Sequence, residues 1–578
     1  MNGNNEDLST EMNGKTGGLS TEMNGNTNRN KGIRRAWNLG WLVLAIFTLQ
    51  AYGQKIPSQK PKLVVGITIS GMRYDYLSVY WDKFGDKGFR RMASTGGNCK
   101  NARYNYMITE PSVGYATIAT GAKPNVHGIV ADWWYERLTN LVVYSLDDPD
   151  QTSVGGSYGV GPISPRSLNS RTLSDQLRVI SRFKSKSIGV SMDPQAAVLM
   201  AGHTANAAYW IDPASGNWVT SSYYMDSLPQ WVDEFNEKKY QDIYLENTWT
   251  PLLPLTEYSE SMLDNNPYET GFNGQITFPY ELPRLSAREK GKTDYSVLMS
   301  TPWGNTYTKD MAIAAIVNEE LGKRGVSDWI HIGFNATKYL AENYSTWSLE
   351  MQDTYLRLDQ EIAHLLEFLD GYLGLENVLI YLTADNALAD DPRYLEENRI
   401  PAGFFNYRTT ISLLRSYLNA LYGQGDWVTF YYAQQVYLNR QLIEDSRISL
   451  EEVQDKVARF MVQIHGVSNA LQAYVLERNN FTDGVYERIQ NSYFQKRSGD
   501  VIIYLTPGWV EYSSVGRNGF ADFKYGAHVP LIFYGWKVNR VTIPYEVSPA
   551  DIAATVAYYL EISMPENASG KVISDLVK

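Results

Sequence analysis

The chain has 578 residues, 44% of them hydrophobic, enough for one large α/β core with insertions. Its net charge of −11 excludes a nucleic-acid footprint, which needs clustered positive charge. A single cysteine, Cys99, excludes an intrachain disulfide and a cysteine-built zinc site.

In chain order, the first feature is a polar repeat, MNG at 1, 12 and 23, with no apolar face, which is expected to be disordered. KGIRRA at 31–36 is basic, LGWLVLAIFTL from Leu39 to Leu49 is apolar, and Ala51-Tyr52-Gly53 has the small-x-small pattern of a cleavage site. Together these predict a signal peptide cut near Gly53, hence export, with a bacterial periplasm fitting the lack of disulfides. The apolar run is shorter than the ~20 residues a spanning helix needs, so no stable membrane span is expected after cleavage. Residues 1–53 are read as extension plus signal, and 54–578 as one domain.

Within that domain, Lys62–Ile69, Val378–Thr383 and Val501–Leu505 are short β-branched runs that read as buried parallel strands. Ile188–Met192 and Trp329–Phe334 are weaker copies. Met351–Leu373 keeps apolar residues at 3–4 spacing (Tyr355, Leu358, Ile362, Leu365, Leu366, Leu369) and predicts a helix. Strands alternating with helices imply an α/β fold, a mostly parallel sheet sandwiched by helices, with function at the carboxyl ends of the strands. The Trp/Tyr/Pro/Asn-rich stretches at about 204–300 and 395–500 are read as inserted caps.

Five segments carry chemistry: KLVVGITISGMRYDYL at 62–77, TEPSVGYATIATGAKPNVHGIV at 109–130, FNATKYLAE at 334–342, IYLTADNALAD at 380–390 and KYGAHVPLIFYG at 524–535. In order and spacing they resemble the alkaline phosphatase superfamily, in particular the single-nucleophile bacterial phosphatases related to type I phosphodiesterases and nucleotide pyrophosphatases. The resemblance implies a two-zinc centre, in which Asp and His ligands hold ions that polarise the phosphoryl group.

Against that frame, most functional positions carry other chemistry. Ser70 stands where the family has an Asp ligand, and a neutral hydroxyl is a poor zinc ligand. Pro111 stands at the nucleophile position, flanked by Thr109 and Ser112. Asp132 replaces a phosphate-contacting Asn. Asp193 and Gln195 replace the Lys and Arg that hold the phosphoryl group, a charge reversal. Lys338 and Glu342 replace an Asp and a His ligand. Asp385 is kept, Asn386 replaces its His neighbour, and His528 is kept. Two of six ligand positions therefore survive, on different ions, and no metal is expected.

The main expectation is thus an exported, catalytically inactive scaffold whose partner is an unidentified protein or glycan. Two alternatives stand beside it: a zinc-dependent phosphomonoesterase or phosphodiesterase of the same superfamily, or a hydrolase with a relocated site using Thr109 or Ser112 with Glu342 or a single metal. Lys338 is expected to pair with Asp385, Glu342 or both in place of the lost ion. Tyr74, Asp75 and His127 are read as structural, and the acids Asp390, Asp391, Glu396 and Glu397 as a solvated run rather than a calcium loop.

Overall fold

Leu63–Ile69 (β1) has the sequence LVVGITI and is buried at every position, so both of its faces are covered and an unbroken apolar run is what the site demands. The computed structural model describes residues 60–577, except 158, 159, 161, 514, 515 and 522–525. The expected extension and signal segment therefore lie outside the described residues. Ser187–Ser191 (β2), Asp328–Phe334 (β3) and Val378–Thr383 (β4) are buried in the same way. Later in the chain come Val501–Leu505 (β5) and His528–Gly535 (β6).

β1 lies between β3 and β4, parallel to both, and β2 adds in parallel beyond β3. Among the described residues the central sheet runs Val541–Val547, Gly97–Arg103, β6, β4, β1, β3, β2, Ala207–Ile211, Trp218–Ser221, Ser153–Val154. β6 is antiparallel to β4, so its first residues stand near the carboxyl end of β4. Helices cover the sheet: α1 (Pro111–Thr120), α2 (Pro194–Ala201), α3 (Ala336–Leu340) and α4 (Leu349–Leu373) all bury side chains. The six apolar residues expected on one face of α4 are all buried.

Two sequence expectations are corrected. β5 is not a strand of the parallel sheet: it pairs antiparallel with Gln435–Leu438 and Val467–Gln472 in a separate four-stranded sheet. That sheet and the helices Tyr407–Tyr422 and Leu450–Met461 enclose their own core of Leu414, Leu418, Val453, Val457, Met461 and Ile503. Nor is 204–300 wholly cap, since Ala207–Ile211 and Trp218–Ser221 extend the central sheet. A fully buried strand reads alike in either sheet, because its partners are set by distant segments.

α1 begins with Pro111 at its first position, where the missing N–H costs nothing, and stops at Gly121 with φ 67. Its Gly114 lies against the loop after β4, where an added Cβ would stand 1.9 Å from the Asp385 carbonyl oxygen. Backbone on both sides leaves nothing free to yield. Gly114→Ala is expected to lower stability by about 1–3 kcal/mol, the range for overpacking, as a reduced melting temperature in calorimetry.

Candidate functional site

Ser70 follows β1 directly and Asp385 lies two residues past β4, so adjacent parallel strands deliver them to one place. The Ser70 hydroxyl donates to Asp385 Oδ2 at 2.7 Å, and the Gly71 N–H donates to Oδ1 at 3.0 Å. Both oxygens of a fully buried carboxylate are thus occupied by neutral donors. Burial pushes the Asp385 carboxyl up to about 6, opposed by these two hydrogen bonds and by the Lys338 charge. Asn386 is buried beside it.

β2 leads into Asp193 and Gln195, and β3 leads through Asn335 into α3, which carries Lys338. The Lys338 ammonium donates to Asp193 Oδ2 in a close ion pair and to Gln195 Oε1 at 3.0 Å. Asp193 also caps α2, its Oδ1 accepting from the Gln195 N–H at 2.9 Å. The network continues from Gln195 Nε2 to Ser112 Oγ at 2.7 Å, and from the Ser112 N–H to Asp132 Oδ1 at 2.9 Å. The Asp132 N–H in turn donates to the buried Glu110 carboxylate. Ser112 Oγ also meets Ser145 Oγ at 2.8 Å.

The electrostatics follow from burial and one cation. Burial would lower the Lys338 ammonium, but Asp193, with Tyr339 and Asp132, raises it above its ordinary value, so it stays charged. Burial raises Asp132, with Lys338 and the Ser112 and Gln195 hydrogen bonds opposing. Glu342 is raised by burial against the Lys338 charge. Glu110 is pushed well up by burial and then by Asp132.

The expected pairing of Lys338 with Asp385 or Glu342 is corrected: its hydrogen-bond partners are Asp193 and Gln195. Asp385 has no need of an ammonium partner because Ser70 donates where the resembled family has a carboxylate. His528 opens β6, its carbonyl accepting from the Tyr74 N–H at 3.2 Å. Its ring is engaged elsewhere: Nε2–H donates to the Lys100 carbonyl at 2.9 Å, Arg103 approaches Nδ1 at 3.5 Å, and the ring stacks on Tyr74 at 4.6 Å. Pro111 is the first residue of α1, and Thr109, almost fully buried, precedes it by two.

The residues read as structural have structural partners. Asp75 pairs with the Arg73 guanidinium, and His127 bonds Thr117 and the Ile129 N–H. The reading of Asp390 and Asp391 as part of a solvated run is corrected: Asp390 also pairs with Arg73, and Asp391 is buried and caps the helix Pro392–Glu397, while Glu396 and Glu397 are exposed. Sequence reasoning missed Glu110, Tyr115 and Asn335. Asn335 accepts from Ser191 and donates to the Tyr115 hydroxyl at 3.2 Å, tying β2, β3 and α1 together. Glu110 had a signal: it precedes a proline-initiated helix, where a carboxylate suits the positive helix end.

The zinc centre implied by the resemblance can be tested against these side chains. An ammonium occupies one ligand position, a hydroxyl another, and the two retained ligands have their acceptor atoms committed. Among the described residues no cluster of three or more His, Cys, Asp or Glu could hold a metal. The residues do not fit two zinc ions.

A profile of the type I phosphodiesterase / nucleotide pyrophosphatase family matches residues 64–524. A calcium-transporting ATPase of Myroides odoratus is 35% identical over 90% of this chain and 95% of its own length. The alkaline phosphatase PafA of Elizabethkingia meningoseptica is 34% identical over 94% of this chain and 99% of its own. A crystal structure of wild-type PafA matches at 34% identity with TM-score 0.85, covering 90% of this chain and 99% of that one. The expectation of a catalytically inactive scaffold is thereby corrected: relatives matching nearly end to end bear the names of phosphate-releasing enzymes, which points to phosphatase function.

Proposed function

The chain belongs to the type I phosphodiesterase / nucleotide pyrophosphatase family, and on that basis we propose that it hydrolyses phosphate esters. The observation that carries this reading is 34% identity to an alkaline phosphatase over 94% of the chain. The ATPase name borne by the other relative belongs to the same broad chemistry, attack on a phosphoryl group. Export by the leader at 31–53 accompanies the proposal, and no described helix is long and apolar enough to cross a membrane.

Because the cleft does not fit two zinc ions, the proposal contains no metal step. The nucleophile is placed on the 109–112 loop at the amino end of α1, where helix polarity favours developing negative charge. Ser112 Oγ is held by Gln195 and Ser145, so the Thr109 hydroxyl is the better placed of the two. Its attack on phosphorus would form a phosphothreonine and expel the alcohol; water would then release phosphate. Purified protein is expected to turn over p-nitrophenyl phosphate or bis-p-nitrophenyl phosphate, and Thr109→Ala to cut the rate more than ~100-fold. No turnover of either ester overturns the hydrolase reading, and full activity in Thr109→Ala overturns the choice of nucleophile.

A further inference from the structure

We infer that the Lys338–Asp193 pair is a built-in counter-charge that replaces a metal centre, so that this cleft takes no divalent cation. The inference goes beyond the hydrolase reading and does not depend on it.

The resemblance implies a carboxylate at position 338 and an ammonium at 193, whereas this chain carries Lys338 and Asp193. In the structure these two residues are direct partners, with the Asp193 side chain 4% exposed and that of Lys338 26%. The exchange keeps the pair neutral but moves the positive charge onto a metal-ligand position. From there the ammonium acts on Asp193, Asp132, Glu342 and Asp385, the acids that would otherwise face one another in a partly dry cleft.

The remaining positions agree. Asp385 has one donor on each oxygen. His528 gives its Nε2 proton to a carbonyl and has Arg103 facing Nδ1, so neither nitrogen offers a lone pair to an ion. A divalent ion entering here would lie beside a fixed ammonium and would have to break hydrogen bonds at both retained ligands. In a site of low effective dielectric that repulsion opposes binding, and the cleft's other acids, Asp193, Asp132 and Glu342, already face the Lys338 charge.

The test uses the full purified protein, equilibrated with excess zinc sulfate and desalted, beside Asp385→Asn and His528→Gln. Zinc per chain is counted by elemental mass spectrometry, and melting temperature is read with added zinc or EDTA. The inference expects less than ~0.1 zinc per chain and shifts under about 1 °C, since an ion bound only to the folded form would raise the melting temperature. Zinc held equally by wild type, both variants and an Asp132→Asn/Glu342→Gln double variant sits outside the cleft and also supports it. One or two zinc ions held by the wild type and lost from any of these variants overturn it, as does a rise of several degrees with zinc that any of them abolishes.

Discussion

Lys338→Ala is expected to lower the melting temperature by about 2–4 °C, at the ~1 °C per kcal/mol that unfolding entropy implies for a chain of this size. Removing one partner of a buried pair costs about 3–5 kcal/mol because the other charge is left uncompensated. Asp193 is almost wholly buried and Lys338 about a quarter exposed, so a discounted figure of about 2–4 kcal/mol is appropriate. The single reversals should be worse than the alanine. Lys338→Asp sets two carboxylates against each other, and Asp193→Lys sets two ammoniums together and removes the cap of α2. The double reversal should recover most of the loss and fall short of wild type by about 1 kcal/mol, the worth of that cap. Calorimetry of the four proteins forms a double-mutant cycle. A double reversal no more stable than the sum of its singles would show that the two side chains are not coupled.

Asp385→Asn is expected to stabilise the protein at pH 8, an unusual result for a polar change in a buried cleft. The folded carboxyl is raised from an ordinary 3.8 to about 6. A group raised in the folded state contributes stability that is fully present below its unfolded value and is lost as pH rises through the folded value. Between about pH 4 and pH 6 the wild type therefore loses about 2–3 kcal/mol at this residue, at ~1.4 kcal/mol per unit. Asparagine is neutral throughout and its oxygen can still accept from Gly71, while its amide can donate to a Ser70 hydroxyl turned round to accept. The melting-temperature difference, variant minus wild type, should climb by about 2–3 °C from pH 4.5 to pH 8. A flat difference would place the Asp385 titration outside that window.

The sheet was readable because β1 and β4 are buried on both faces, and such strands show as unbroken apolar runs; β3 showed less cleanly. The same signal misplaced β5, since burial says nothing about which sheet covers a strand. At the site, strand-end positions were legible and side-chain directions were not. Lys338 was expected to neutralise the surviving ligand Asp385. Its place on α3 instead aims the ammonium across to the start of α2, while Ser70 meets Asp385 from the neighbouring strand. Glu110 and Asn335 escaped because their importance lies in the buried N–H and hydroxyl groups they satisfy, and those partners are distant in sequence.

The reversed pair bears on how such a chain can drift. The double reversal is expected to fold stably, and every route to it from the native pair by reversing one residue at a time passes through two like charges in contact. Either intermediate is worse than both ends, so the exchange is simple to keep and hard to undo. Stepping through a neutral residue is the gentler path, and it too leaves one charge buried alone for as long as it lasts. The pair is thus held in its present polarity by folding stability, independently of catalysis. Reversing the pair one residue at a time would then register as damage, even where the complete exchange is sound.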